Sequence, residues 1–309
     1  MIQPIPFTVL GGYLGSGKTT LLNRVLQQNE GRRLAVIVND FGSVNIDAML
    51  IQTRTNELVA LANGCVCCSI STGLAEALTV LSRRTPLPEH VIIEASGVAD
   101  PIRVGYFGSA PPYHLDGIVV LADAEAIREQ AADKYVGSTV QRQLRGADLI
   151  VLNKIDLLTD TQQADLTGWL REQVADARII ATSHGRVSLP LLLGLHVGSV
   201  PPIKHHDHDH GDGYASWSVA VDAPIDESML RATVSAWPDT VLRAKGIVYL
   251  AEDRQRRQVF QLVGRRWSLT PDRPWGSDTP RTELVLIGLD GTLDGEALLA
   301  PLTTVAARV

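Results

Sequence analysis

Three thiols in four positions, Cys65, Cys67 and Cys68 within NGCVCCSIS, are all the cysteines of this chain. In extended backbone, side chains two apart point the same way. Cys65 and Cys67 can therefore share one cation, with Cys68 joining them if the chain turns, as Gly64 makes plausible. Three thiolates suit Zn²⁺ or Co²⁺ far better than Mg²⁺ or Ca²⁺. The same residues also read as small buried hydrophobes or as a redox sensor with an acidified thiol. A disulfide between thiols this close would be strained.

A second group of residues suits phosphate. GYLGSGKT, Gly12 to Thr19, matches G-x-x-x-x-G-K-[ST] and stands where the apolar FTVLGG gives way to the helical TTLLNRVL. Backbone N–H groups of such a loop, with the helix N-terminus behind them, attract negative charge. Lys18 would reach the β and γ phosphates and Thr19 would ligate Mg²⁺. Further along, NKID, Asn153 to Asp156, ends the apolar run LIVLNK. A carboxylate at Asp156 can accept from N1–H and the exocyclic amine of guanine, whereas adenine would leave it desolvated and unpaired. Lys154 would lay its methylene stem along the purine, and Asn153 would tie neighbouring loops. A polar strand end is the plainer account of the same four residues.

Between these motifs, EASGVADP places Glu94 and Gly97 after the strand-like HVIIEAS. Glu94 would hold Mg²⁺ through water or orient the attacking water, and the Gly97 amide would sense the γ-phosphate. Asp100 and Pro101 equally suit a helix start. VNDFGSVNID offers Asp40 and Asp47 in a loop that phosphate and Mg²⁺ can order. Lys18, Glu94 and Asp47 are the candidate catalytic residues.

The elements that must position these groups are short apolar runs alternating with amphipathic segments. FTVLGG, RLAVIVND, ELVALAN, HVIIEAS, GIVVLADA, LIVLNK and ARIIATS have the composition of strands buried on both faces. In TQQADLTGWLREQVA, Leu166, Trp169, Leu170 and Val174 share one helical face. The pattern predicts an α/β domain over residues 1–197, a mostly parallel sheet flanked by helices. Residues 198–215, rich in Pro, Gly, His and Asp, read as a linker. Residues 216–309 read as a smaller α+β domain. Its strands are SWSVAV, GIVYLAE, RQVFQLV and ELVLIGL, with helices near Asp226 to Ala236 and Gly295 to Ala307.

The chain's 309 residues carry a net charge of −6 and a pI near 5.7, which gives no overall attraction to nucleic acid or anionic membrane. Neither is expected as a main partner. No positive side chain precedes Lys18 and no eighteen apolar residues run together, so a cytoplasmic location is expected.

Taken in order, GGYLGSGKTT, VNDFGSVNID, NGCVCC, EASGVADP and NKID resemble the CobW-type P-loop GTPases that act as metallochaperones or metal-insertion proteins. RAKGIVYL and ELVLIG resemble that family's second domain, so the likeness spans essentially the whole chain. The resemblance implies nucleotide binding by Gly12, Gly15, Gly17, Lys18, Thr19, Thr20, Asn153, Lys154 and Asp156, and Ser16 and Gly97 are further cofactor-binding candidates. It also implies metal binding by Cys65, Cys67 and Cys68, a GTP-gated site for Zn²⁺ or Co²⁺, and a client metalloprotein. The chain departs from the family at Asp40 and Ser43, where many members carry a glutamate and another acidic residue, so an Asp40 ligand is in question. No glutamine stands ready to position water, which predicts slow turnover.

KHHDHDHGDG adds His205, His206, His208 and His210 as weak auxiliary metal ligands, or else forms a solvated hinge. His90, His114, His184 and His196 read as ordinary surface or half-buried residues. Arg254, Arg256, Arg257, Arg265 and Arg266 read as a solvated hairpin rather than a docking face for an acidic client. Two other functions fit parts of the pattern. One is a metal sensor or buffer without delivery; the other is a P-loop small-molecule kinase, which NKID disfavours.

Overall fold

The structure, a computed structural model, describes residues 4–28, 32–38, 58–60, 69–175, 177–193, 214–264, 266–289 and 291–303. Asp40, Asp47, Cys65, Cys67, Cys68 and the histidines of the linker lie outside the described residues. The chain divides into two compact units, residues 2–193 and 194–309.

The first unit is built on a seven-stranded sheet. Its strands are β1 (Ile5–Gly11), β2 (Leu34–Val38), β3 (Leu58–Ala60), β4 (His90–Glu94), β5 (Tyr113–Asp123), β6 (Leu149–Asn153) and β7 (Arg178–Ala181). The order is β3-β2-β4-β1-β5-β6-β7 and every pairing is parallel. Parallel strands need crossovers, which covers both sheet faces and explains the near-continuous apolar runs. β2, β4 and β6 are buried at every position.

Helices α1 (Lys18–Gln27), α2 (Ser69–Leu81), α3 (Pro101–Gly105), α4 (Ile127–Ala132), α5 (Gly137–Arg145), α6 (Asp160–Gln173) and α7 (Leu189–Leu193) complete the unit. Leu74, Leu78 and Leu81 of α2, Val140 and Leu144 of α5, and Leu166 and Leu170 of α6 join Phe7, Val9, Ile37, Ile93 and Ile150 in one core. The face read on α6 is the one that packs: Leu166, Leu170 and Val174 are buried, and Trp169 lies partly buried under the Arg128 guanidinium. Thr159 starts this helix with a reciprocal capping box to Gln162. Asp100 caps α3 through the Ile102 amide, with Pro101 at the first helical position.

His90 departs from the sequence reading. It is 5% exposed, and its Nε2 lies 2.8 Å from Thr8 Oγ1, which also donates to Asp116 Oδ2 at 3.2 Å. Three neighbouring strands thus place a polar cluster inside the fold, where hydrogen bonding is what makes burial tolerable.

The second unit holds a five-stranded antiparallel sheet in the order β11-β10-β9-β12-β8. The strands are β8 (Tyr214–Val221), β9 (Val241–Val248), β10 (Arg256–Val263), β11 (Arg266–Pro274) and β12 (Thr282–Leu289). Helices α8 (Glu227–Ser235) and α9 (Gly295–Thr303) supply Leu230, Val234, Leu299 and Leu302 to a core with Val248, Phe260, Leu284 and Leu286. Two expectations are corrected here. β9 begins five residues before GIVYLAE, because Arg243 and Lys245 interrupt the apolar run without ending the strand. β11, RWSLTPDRP, was not anticipated; its polar and proline-rich sequence suits the sheet edge it occupies. The hairpin arginines are not uniformly solvated either: Arg257 is largely buried and pairs with Asp272 at 3.1 Å.

Among the described residues no helix is long and apolar enough to cross a membrane.

Candidate nucleotide-binding site

The site is built where the strands of the first unit end. Register puts Ala60 of β3 opposite Val38 of β2, Val38 opposite Glu94 of β4, and Glu94 opposite Leu10 of β1. Four neighbouring strands therefore release their following segments from one level of the carboxyl edge, where α/β sheets bind ligands. Those segments are the ones that begin at residues 61, 39, 95 and 12.

After β1 the chain turns through Gly12 to Gly17 and enters α1. Gly12 has φ 133° and Gly17 has φ 101°. A β-carbon on Gly12 would lie 2.3 Å from the Leu121 carbonyl oxygen, and one on Gly17 would lie 2.4 Å from Asn153 Nδ2. The loop thus needs glycine for both conformation and space. No side chain caps α1, so its first-turn N–H groups face the loop as donors for an anion. Lys18 is buried, and its Nζ donates to the carbonyls of Gly12 at 2.8 Å and Tyr13 at 3.3 Å. This curls the ammonium over the loop. The Ser16 hydroxyl is buried without a hydrogen-bond partner among the described residues.

Thr19 and Glu94 meet: Thr19 Oγ1 donates to Glu94 Oε1 at 3.3 Å, and Glu94 is 2% exposed. A hydroxyl and a carboxylate side by side, next to a phosphate cradle, form an oxygen donor pair of the kind Mg²⁺ takes. Gly97 lies against the loop, with Leu14 Cδ2 2.4 Å from where its β-carbon would be. The Gly97 and Ala99 carbonyls accept from Nε2 of the buried Gln143 of α5, at 3.0 and 2.9 Å. Gln143 thus positions the segment after β4 and does not face the phosphate loop as a water-orienting group.

The Asn153 to Asp156 end is held as firmly. Asn153 Nδ2 donates to the Ser16 carbonyl and Asn153 Oδ1 accepts from the Gly185 amide, both at 2.9 Å. Lys154 adopts a left-handed backbone, φ 66°, and its Nζ pairs with Asp123 Oδ2 at 2.6 Å. Asp156 receives the Ser183 hydroxyl, which holds its carboxyl below the usual range; the His184 side chain, 3.9 Å away, acts in the same direction. An ionised acceptor is what a guanine edge requires. Leu157, 54% exposed, stands beside it.

Several participants escaped sequence reading. Asp123 orients Lys154, Ser183 and His184 flank Asp156, and Arg24 of α1 donates to the His184 carbonyl at 2.8 Å. A signal existed in Ser183-His184-Gly185, a polar turn directly after the strand ARIIAT. Thr20 follows Thr19 within α1 and is exposed. Among the described residues no group of three histidine, cysteine or acidic side chains is placed to hold a metal. The cradle, the Thr19–Glu94 pair and ionised Asp156 together fit a guanine nucleotide with Mg²⁺.

Comparison with known proteins gives the family. Residues 6–181 match the family model described as CobW/HypB/UreG, nucleotide-binding domain, and residues 214–306 match the cobalamin synthesis protein cobW C-terminal domain. The zinc chaperone YjiA of Escherichia coli is 33% identical, the match covering 93% of this chain and 95% of that protein. The zinc chaperone CobW of a Sinorhizobium species is 30% identical over 97% and 96%. The crystal structure of Zn(II)-bound YjiA GTPase from E. coli shares 28% identity, covers 97% of this chain and 98% of that one, and superposes with a TM-score of 0.47. On the two family matches and the full-length relatives, the chain belongs to the CobW/HypB/UreG family of P-loop GTPases, in the group that carries a CobW C-terminal domain.

Proposed function

We propose that this protein is a metallochaperone that binds and hydrolyses GTP, holds Zn²⁺ or Co²⁺ at Cys65, Cys67 and Cys68, and passes the ion to a client metalloprotein. The observation that carries the reading is the level register of Ala60, Val38, Glu94 and Leu10. It starts the segments bearing the cysteines, Asp40 and Asp47, Gly97, and the phosphate loop from one edge. The relatives named as zinc chaperones support zinc as the cargo.

In this proposal Gly12, Gly15, Ser16, Gly17 and the first turn of α1 cradle the phosphates, with Lys18 and Thr20 beside them. Asn153 fixes the spacing between cradle and base, and Asp156 selects guanine. Thr19 and Glu94, with Asp40 and Asp47 as further candidates, are the residues that would hold Mg²⁺. The ion supplies charge neutralisation at the β and γ phosphates. Glu94 or Asp47 orients the attacking water, and Gly97 reports the γ-phosphate to the segment that Gln143 anchors. Hydrolysis is slow, as suits a switch.

Coupling between sites is reciprocal, so GTP that tightens cargo binding must itself be bound more tightly when cargo is present. A coupling of about 3 kcal/mol corresponds to roughly a hundredfold in either affinity. The test is competitive Zn²⁺ titration with Mg²⁺ and a nonhydrolysable GTP analogue against GDP, in the wild type and in Cys65→Ser/Cys67→Ser. Equal affinities in the two nucleotide states would remove the chaperone mechanism.

A further inference from the structure

A line of exposed apolar side chains runs away from the phosphate loop. Leu14 is 59% exposed and lies over Gly97; Val98, the next residue, is 45% exposed; Ile102 in α3 is 40% exposed; Tyr106, one helical turn on, is 69% exposed. Tyr106 also forms one wall of a groove of about 360 Å³, lined besides by Leu78, Phe107, Pro111, Pro112 and Tyr113. The Tyr113 hydroxyl is committed to the Leu78 carbonyl, and burial pushes its pKa up to about 12, so the groove floor stays neutral. Scattered exposed hydrophobes need no explanation, but a continuous series ending in an aromatic and proline-lined groove has the form of a peptide-docking surface.

Its rim is basic. Ile102 reaches Gly146 at the end of α5, with Cγ1 2.8 Å from where a β-carbon there would be. This brings Arg142, in the last turn of α5, alongside α3 and Arg103, while Arg145 stands on the other side of α5 with Trp169 and Gln173 of α6. None of these exposed arginines pairs with a carboxylate among the described residues. Arg142 donates to Thr139 Oγ1 and Arg145 to Gln141 Oε1. Asp100, the carboxylate between Val98 and Ile102, is turned to the Ile102 amide. In a chain of net charge −6, Arg103 and Arg142, two arginines beside an apolar face with no carboxylate partner among the described residues, stand out from the average.

We propose that this face docks the client, through a segment that places an apolar side chain in the Tyr106 groove and aspartate or glutamate against Arg103 and Arg142. The proposal rests on the metallochaperone reading and names the chemistry of its partner. Docking is tied to the nucleotide because Leu14 belongs to the phosphate loop and Gly97 to the segment after Glu94, so the upper end of the face is built from the groups that meet the γ-phosphate. Arginine supplies bidentate recognition of carboxylates at low ordering cost, while the groove supplies affinity.

The experiment uses the purified full chain with Mg²⁺ and either GDP or a nonhydrolysable GTP analogue. The probes are two synthetic twelve-residue peptide libraries with a central Phe or Leu, one flanked by Asp and Glu and the other by Lys and Arg. The acidic library is expected to be enriched in the GTP-analogue state. Arg103→Glu/Arg142→Glu should reverse the preference toward the basic library, and Ile102→Glu should weaken capture about tenfold. Nucleotide and Zn²⁺ affinities, measured on the same samples, separate the two claims. Peptide enrichment that is absent, indifferent to charge, or unmoved by these variants while both affinities are intact overturns the docking face and leaves the chaperone reading standing. Nucleotide-independent Zn²⁺ affinity instead removes the reading beneath it. Circular dichroism melting of each variant shows that any loss is not unfolding.

Discussion

Asn153 and Ser16 are 137 residues apart in sequence and joined by one hydrogen bond, from the Asn153 carboxamide to the Ser16 carbonyl. The other end of that carboxamide accepts from Gly185. One buried side chain therefore sets the separation between the loop that would take phosphates and the loop beside Asp156.

Asn153→Ala leaves the Ser16 carbonyl and the Gly185 amide without their partner in a buried place, at about 1–3 kcal/mol for each unsatisfied group. The expected outcome is a lower melting temperature together with a guanine nucleotide affinity reduced more than tenfold. Calorimetry and titration of a fluorescent GDP derivative measure the two. Asn153→Asp keeps the acceptor for Gly185 and loses the donor to Ser16, so it should fall between.

Asp156→Asn should exchange guanine for xanthine preference, because a carboxamide can donate to the xanthine 2-oxo group that a carboxylate repels. Competition between GDP and xanthosine diphosphate reads the switch; an unchanged preference would show that Asp156 does not face the base. The pH dependence follows from the Ser183 hydroxyl, which lowers the Asp156 pKa. A depressed pKa keeps the carboxylate ionised as pH falls, so affinity persists into acid and is lost only on passing through that lowered value. Ser183→Ala raises it toward the ordinary range, and the acid loss of GDP binding should begin at a higher pH than in the wild type.

Gly12→Ala sets a β-carbon 2.3 Å from the Leu121 carbonyl oxygen at a φ of 133°, whereas Gly15→Ala meets no atom within 4 Å at a φ of 78°. The first should abolish nucleotide binding or folding. The second carries only conformational strain, about 1–2 kcal/mol, and should still fold. Circular dichroism of both proteins, with nucleotide titration of whichever folds, distinguishes steric from conformational cost.

In the second unit, Arg257→Met removes the partner of Asp272, whose side chain is only 10% exposed. Breaking a largely buried pair from one side costs about 3–5 kcal/mol when the remaining charge stays dry. Urea unfolding should show the loss. Arg257→Met/Asp272→Leu should recover much of it, since no lone charge is left behind.

Much of the first unit was legible because its information is local. Apolar runs such as GIVVLADA and LIVLNK can hardly be anything but strands buried on two faces, and GSGKT and NKID carry their chemistry in adjacent letters. Asp123, Gln143 and Arg24 were not legible, since each acts through a partner that parallel pairing and crossover helices bring from elsewhere in the chain: Lys154, Gly97 and His184. β11 stayed hidden because an edge strand needs no apolar pattern, and β9 was displaced because Arg243 and Lys245 sit within it at buried positions. Thr8 supplied the hydroxyl that makes a buried His90 tolerable, a pairing 82 residues apart that no local reading shows.

Among the described residues the three-residue β3 is paired on one flank, to β2, through Val36–Leu58, Ile37–Val59 and Val38–Ala60. β1 sits mid-sheet, clasped by β4 and β5. Peeling a strip that short from a margin takes a small fraction of the global unfolding energy, while prising out a central strand takes most of it. In the function proposed above, a carrier that must grip its fuel and surrender its freight would have the two duties at opposite ends of that mechanical scale, with the fuel beside a central strand and the freight past a marginal one.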